Sequence, residues 1–125
     1  MEPVILVADE EALIVSRLAE LLEREGFSVL RAYTSEQALT KLAVNKVDLI
    51  LASFSLREMN GVELLQKVKL LYPEIKRGLL VSGLSSPSIR RALRNGTVQL
   101  EIEKPWERKE LIEKIYHLLA LKDKA

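Results

Sequence analysis

Short apolar runs alternate with longer amphipathic segments along the whole chain, and this alternation restricts the fold more than any other feature of the sequence. The five apolar runs lie at residues 4–8, 29–32, 47–52, 79–82 and 98–103. Apolar residues in the segments between them recur at helical spacing. Strands that alternate with helices predict a parallel sheet covered by helices on both faces. We therefore expect a doubly wound α/β fold.

Helix boundaries carry their own signals. The first helix is predicted over residues 11–25, because Gly26 is a typical residue just beyond a helix end. Ser86 precedes Pro87, which places a capping side chain ahead of a proline at the first helical position. Pro105 is expected to start the last helix, because proline is favoured at the first helical position.

Size and composition limit the functional classes. With 125 residues and 48% apolar composition, the chain can bury a full core, and we expect one domain over residues 1–125. The absence of cysteine excludes disulfides and thiolate metal sites. A formal net charge of +1 gives no strong field to attract nucleic acid. We therefore expect no binding to nucleic acid. No apolar stretch approaches the roughly 18 residues of a membrane span. We expect a soluble, cytoplasmic protein that does not bind a membrane.

Polar residues follow four of the predicted strands. Asp9 and Glu10 come after the first strand, Ser53 after the third, Ser82 after the fourth and Lys104 after the fifth. The carboxyl ends of parallel strands meet at one edge of a sheet, where ligands bind in open α/β folds. We therefore expect acids, hydroxyls and an amine to share one crevice.

These residues and their spacing resemble the receiver domain of two-component response regulators, from residue 4 to about residue 121. The matching positions are the acidic pair Asp9-Glu10, the run from Asp48 to Ser53, the loop Leu56-Arg57-Glu58-Met59-Asn60-Gly61, the switch hydroxyl Ser82, the aromatic switch position Glu101 and the pair Lys104-Pro105. The resemblance implies a flavodoxin-like (βα)5 fold with a five-stranded parallel sheet in the order 2-1-3-4-5. It also implies a role in phosphorelay signal transduction.

The chain departs from the family pattern at Ser53, where the phosphoacceptor aspartate is expected. A serine needs a general base to act as a nucleophile, and the sequence supplies none nearby. We interpret Ser53 as a small polar residue in a vacated catalytic position. Glu101 replaces an aromatic ring, which puts the usual coupling to the switch hydroxyl in doubt. The prediction is a pseudo-receiver that is not an enzyme and acts by protein–protein interaction without aspartyl phosphorylation.

The acidic pair Asp9 and Glu10 would hold Mg²⁺ in a receiver. Magnesium keeps most of its waters and relies on a few carboxylates, so loss of the third one predicts a weak or lost metal site. A metal-free alternative is that Lys104 pairs with Asp9 or hydrogen-bonds Ser53, because an uncompensated charge in a crevice is costly. No other cofactor is expected.

An interaction surface is predicted on the fourth helix. Arg90, Arg91 and Arg94 lie close together there, and Trp106 lies beside them in the family fold. Arginine and tryptophan are typical of interface centres, although a solvated helix face is an equal alternative. The resemblance implies a protein partner or a homodimer through the fourth helix, fifth strand and fifth helix, with a histidine kinase or an output domain as further partners.

Three other interpretations stay open. A kinase could phosphorylate Ser53 or Ser82, an enzyme could use Ser53 as a nucleophile, or Ser53 could be an introduced change in a competent receiver. Simultaneous departures at Arg57, Glu58 and Glu101 favour natural divergence, because deliberate inactivation would change the acceptor alone.

Overall fold

The strands and helices alternate as the sequence pattern predicts. The three-dimensional structure is a computed structural model that describes residues 2–83 and 86–121. The strands are β1 (Val4–Ala8), β2 (Ser28–Ala32), β3 (Leu49–Ser53), β4 (Lys76–Val81) and β5 (Leu100–Glu103). The helices are α1 (Ala12–Arg24), α2 (Ser35–Val44), α3 (Gly61–Leu71), α4 (Pro87–Arg94) and α5 (Arg108–Leu118).

All strand pairs are parallel, and the sheet has the order β2-β1-β3-β4-β5. The doubly wound fold predicted from the sequence pattern and the strand order implied by the family resemblance are therefore confirmed. Successive side chains of a strand point to opposite faces of the sheet. On one face Leu6, Ile50 and Leu79 pack with α2, α3 and α4, whereas on the other face Ile5 and Leu80 pack with α1 and α5.

The central strand explains why the third apolar run is uninterrupted. All five residues of β3 are buried, because helices cover both of its faces and strands flank both of its edges. β3 ends at Ser53, one residue later than expected. Within residues 2–83 and 86–121, no helix combines the length and the apolar character that crossing a membrane requires.

The last helix begins later than expected. It starts at Arg108 and not at Pro105, because the carboxylate of Glu107 accepts hydrogen bonds from the backbone N–H groups of Lys109 and Glu110 at 3.0 Å each. Both hydrogen bonds lower the pKa of Glu107, and the one from Lys109 has the largest effect. A side-chain cap that stabilises a helix start in this way outweighs the preference of proline for the first turn.

Strand β4 begins at Lys76, three residues before the expected start, and it carries a buried arginine. Arg77 is only 4% exposed. Its guanidinium donates to backbone carbonyl oxygens, from Nε to Thr97 at 3.0 Å, from Nη1 to Ile75 at 2.7 Å and from Nη2 to Gly96 at 3.1 Å. Burial lowers the pKa of Arg77. The side chain thus ties the start of β4 to the turn that precedes β5.

Arg77→Met should lower the free energy of unfolding by roughly 2–4 kcal/mol, because several buried carbonyl groups lose their donor. Urea unfolding measures this change. The control Arg17→Met removes an exposed arginine from α1 and should change the free energy by no more than about 0.5 kcal/mol. Equal stability of the two variants would show that the carbonyl contacts contribute nothing.

Candidate functional site

Three residues from distant parts of the chain meet at the carboxyl edge of the sheet. Lys104 Nζ lies 2.8 Å from Asp9 Oδ2 and 3.1 Å from Ser53 Oγ. Asp9 and Ser53 are fully buried, and the Lys104 side chain is 9% exposed. Of the five residues expected to share one crevice, Asp9, Ser53 and Lys104 meet here, and Lys104 makes both of the contacts considered from the sequence.

Backbone contacts fix the two charged residues. Asp9 Oδ1 accepts a hydrogen bond from the backbone N–H of Glu11 at 3.0 Å, so each carboxylate oxygen of Asp9 has a partner. The backbone N–H of Lys104 donates to the carbonyl of Val81 at 2.8 Å, directly beyond β5. The peptide bond between Lys104 and Pro105 is cis. Strand ends and an Asx-type turn thus place the ion pair before any ligand is present.

The hydroxyl of Ser53 has three polar neighbours. Its oxygen lies 3.1 Å from Lys104 Nζ, 3.2 Å from the backbone nitrogen of Ser55 and 2.8 Å from Ser55 Oγ. A hydroxyl offers two lone pairs and one proton. Because the ammonium and the amide are donors, they use the lone pairs, and the proton goes to Ser55 Oγ. No base accepts the Ser53 proton, so the hydroxyl is not activated for nucleophilic attack.

The second acid, Glu10, faces a cation from another loop. Arg57 Nε lies 3.0 Å from Glu10 Oε2, and the side chains are 89% and 30% exposed respectively. Glu10 Oε2 is itself buried and accepts no aligned hydrogen bond from the described residues. The contact is therefore an ion pair governed by charge and distance. Sequence reasoning noted Arg57 only as a departure from a family loop and missed this contact.

Two further predicted residues lie on the neighbouring surface. Ser82 is the first residue after β4 and is exposed, while Glu101 is half-buried on β5. Glu101 and Trp106 line a cavity of about 520 Å³ between β5 and α5, together with Glu103, Glu107, Glu110 and Lys114. Their roles as a switch pair stay predictions.

The arginines of α4 point away from the core. Ile89 and Ala92 form the buried side of this helix, whereas Arg90, Arg91 and Arg94 are exposed. Trp106 is half-buried beside β5. The exposure is compatible with an interface, and the assignment of these residues to one stays a prediction.

Residues 5–116 match the family model described as the response regulator receiver domain. The chain belongs to this family. A receiver domain of an HD domain-containing protein from Pseudomonas fluorescens Pf-5 superposes with a TM-score of 0.90 and 31% identity, covering 96% of both chains. A CheY-like receiver domain from Methanospirillum hungatei JF-1 superposes with a TM-score of 0.89 and 30% identity, covering 96% of this chain and 95% of the other. These neighbours share the flavodoxin-like fold.

Curated relatives are longer than this chain. The alkaline phosphatase synthesis transcriptional regulatory protein PhoP of Bacillus subtilis (strain 168) is 40% identical over 76 residues, which are 58% of this chain and 32% of the relative. The transcriptional regulatory protein ZraR of Salmonella typhimurium is 30% identical over 99 residues, which are 79% of this chain and 22% of the relative. The matched part of this receiver domain thus spans about a third or less of these proteins.

Receiver domains in general bind Mg²⁺ at their phosphorylation site. In this receiver domain each acid of the pocket already faces a cation, Asp9 with Lys104 and Glu10 with Arg57. Across the described parts of the chain, no group of three or more His, Cys, Asp or Glu side chains is placed to hold a metal ion. Magnesium favours octahedral oxygen ligands with net negative charge. The residues present do not fit such a site.

Lys104→Met should lower the free energy of unfolding by about 3–5 kcal/mol, because it leaves the buried Asp9 carboxylate without a counter-charge. Adding Asp9→Asn should recover part of this loss, since the double variant buries no charge. Urea unfolding and melting temperatures measure both effects.

Lys114→Met is the control for the Lys104 variant. Lys114 pairs with Glu110 at 2.8 Å, but the side chains are 46% and 61% exposed. An exposed pair of this kind contributes at most about 1 kcal/mol. If Lys104→Met and Lys114→Met have the same melting temperature, the buried ion pair does not stabilise the pocket.

Proposed function

We propose that the chain is a pseudo-receiver, a receiver domain that signals through protein–protein contacts without aspartyl phosphorylation. The observation that carries the proposal is the position of Ser53, whose hydroxyl lies between Lys104 and Ser55 at the centre of the pocket. In this interpretation Ser53 stands at the phosphoacceptor position of the family. An acceptor carboxylate is then missing where phosphoryl transfer needs it.

The electrostatics of the pocket support this proposal. Phosphoryl transfer depends on cations that neutralise the oxygens of the transferred group. Lys104, the amine nearest to Ser53, already contacts Asp9 at 2.8 Å in a buried ion pair. Binding a phosphoryl group would require this pair to be shared or broken at a cost, because both charges are desolvated. The pocket therefore suits a stable resting state better than a phosphorylation cycle.

An enzymatic use of Ser53 has less support. A serine–lysine pair catalyses attack only when the lysine is a neutral base. Lys104 Nζ instead lies in a buried ion pair with Asp9 and donates a hydrogen bond to Ser53, so it is not placed as a base for the serine proton. Ser53 is also fully buried, so a substrate has no direct access to its hydroxyl.

Serine phosphorylation is the second candidate, and burial separates its two sites. A kinase needs an exposed hydroxyl on an accessible segment, and Ser53 is fully buried. Ser82 is exposed immediately after β4. If another input drives this receiver domain, Ser82 is the more suitable acceptor.

The proposed interaction surface joins α4, β5 and α5. Arg91 and Arg94 give α4 an exposed positive side, while Glu103 and Glu110 lie at the rim of the cavity beside Trp106. An arginine side chain fits such a cavity, because the carboxylates attract the guanidinium and the indole ring offers a cation–π contact. The opposite charges suit a second copy in a two-fold arrangement, in which α4 of one copy faces β5 and α5 of the other.

Partners beyond a second copy follow from the family. Response regulators interact with kinases and with output domains, and several relatives of this chain are transcriptional regulatory proteins. We propose that a histidine kinase or an output domain binds the same surface in the natural setting. The affinity of such a partner for this surface would then depend on complementary charge and not on a phosphoryl group.

Acetyl phosphate with Mg²⁺ should leave the wild-type protein unmodified, because Ser53 lacks an activating base. Intact-mass spectrometry measures the outcome, with Ser53→Ala as the matched control. Ser53→Asp should also stay largely unmodified, since the cations of the pocket remain paired. A phosphoryl adduct on the wild type that Ser53→Ala lacks contradicts the proposed function, and rapid modification of Ser53→Asp favours a competent receiver with one changed residue.

Arg91→Glu should weaken self-association by reversing the charge of α4 opposite the glutamates of a second copy. Reversal of a close charge pair typically costs several kcal/mol at an interface, so a loss of at least about tenfold in dimer affinity is expected. Sedimentation equilibrium measures it, and mixing Arg91→Glu with Glu103→Arg should restore part of the association.

Arg17→Glu is the control for this experiment, since it changes an exposed arginine of α1, which packs on the opposite face of the sheet from α4. It should leave self-association unchanged. Equal weakening by Arg17→Glu and Arg91→Glu would mean that net charge, and not the α4 surface, controls association. A wild type that is monomeric at every concentration rules out the homodimer.

A further inference from the structure

The loop between β3 and α3 carries an arginine that sequence reasoning left without a role. Arg57 Nε lies 3.0 Å from Glu10 Oε2, an oxygen that is buried and accepts no aligned hydrogen bond from the described residues. A buried carboxylate oxygen is costly unless a cation or donor compensates it. Arg57 is the cation that lies at this oxygen.

We propose that Arg57 is a tethered cation that balances Glu10 and competes with divalent metal ions for the acidic pocket. The inference deepens the proposed function, because it assigns a second cause of metal loss besides the missing carboxylate at Ser53. It concerns the metal affinity of the pocket and can fail while the proposed signalling role stands.

Charge balance is the first argument. The pocket contains two carboxylates, those of Asp9 and Glu10, and each has one cation within 3.0 Å. A divalent metal ion binds two acids by neutralising them. Here Lys104 and Arg57 have already done so, and a metal ion would have to displace at least one of them.

The backbone of the loop holds Arg57 in position independently of the ion pair. The N–H of Met59 donates to the carbonyl of Arg57 at 2.7 Å, and Glu58 between them has a φ of 65°. This is a three-residue turn with a left-handed central residue, which is uncommon for a side chain other than glycine. The hydroxyl of Ser35 donates to the carbonyl of Met59 at 2.6 Å and anchors the turn to α2.

This anchoring reduces the cost of the ion pair. A flexible surface arginine loses conformational entropy when it pairs, which is why exposed pairs contribute little. The turn at Glu58 is held by backbone and Ser35 contacts, so the position of the Arg57 backbone is set before its side chain pairs. Unusual backbone conformations of this kind cluster at functional sites.

Metal binding to the intact protein tests the proposal. Mn²⁺ is titrated into the wild type and Arg57→Ala at low salt, and free Mn²⁺ is measured by electron paramagnetic resonance. Arg57 is 89% exposed, so the gain should be modest, about two- to fivefold tighter binding in Arg57→Ala. Arg57→Lys keeps a cation on the same loop and should bind more weakly than Arg57→Ala.

Arg31→Ala is the matched control. Arg31 lies in an ion pair with Glu23 at 3.6 Å, near the far end of α1, and its loss changes the net charge by the same amount. It should leave Mn²⁺ affinity at the wild-type value. High salt should reduce the difference between Arg57→Ala and the wild type, because an exposed cation is screened.

The same comparison in a Ser53→Asp background restores a third carboxylate and makes weak binding measurable. Arg57→Ala in this background should again bind Mn²⁺ about two- to fivefold more tightly than Ser53→Asp alone. Equal affinity with and without Arg57 in both backgrounds overturns the proposal. So does an equal gain in Arg31→Ala, since net charge alone would then explain the effect. Neither result depends on whether the wild type accepts a phosphoryl group.

Discussion

The buried ion pair between Lys104 and Asp9 is the interaction on which the site depends. It joins the ends of β1 and β5, which lie on either side of the β3–β4 pair, and it holds Ser53 between them. Two desolvated charges are stable only while both are present, because removing one leaves the other uncompensated. The pocket thus resists rearrangement, and its centre is a hydroxyl whose lone pairs and proton are all engaged.

Charge compensation extends from this pair to the rest of the protein. Glu10 has Arg57, and the two acids at the edge of the sheet are neutralised by the chain itself. The same principle appears at the other end of the sheet, where the buried Arg77 has no carboxylate among its described partners and uses backbone carbonyls instead. By tying Gly96 and Thr97 to β4, Arg77 helps to position the turn that leads from α4 to β5. These contacts join the turn before β5, one element of the proposed interaction surface, to β4.

Much of the fold and part of the site could be predicted from the sequence. The alternation of apolar runs with amphipathic segments was enough to predict a parallel sheet. Because the carboxyl ends of parallel strands meet at one edge, the sequence also predicted that Asp9, Ser53 and Lys104 come together. The pair between Arg57 and Glu10 was not predictable, because it depends on a turn with a left-handed residue at Glu58. The early start of β4 was missed because Lys76 and Arg77 look like loop residues until their burial is known. The late start of α5 depends on the cap at Glu107, whose geometry a sequence pattern does not show.

The sequence by itself determined the parallel sheet and the polar residues at its carboxyl edge, because side-chain periodicity and strand ends follow from local chain geometry. The strand order came from the resemblance to receiver domains. Tertiary structure alone decided which charges meet. Ion pairs such as Arg57 with Glu10, and the carbonyl contacts of Arg77, join segments that are far apart in the chain, and their formation depends on distances of a few ångströms that folding sets. A long charged side chain reaches several partners, and only the packed structure selects one.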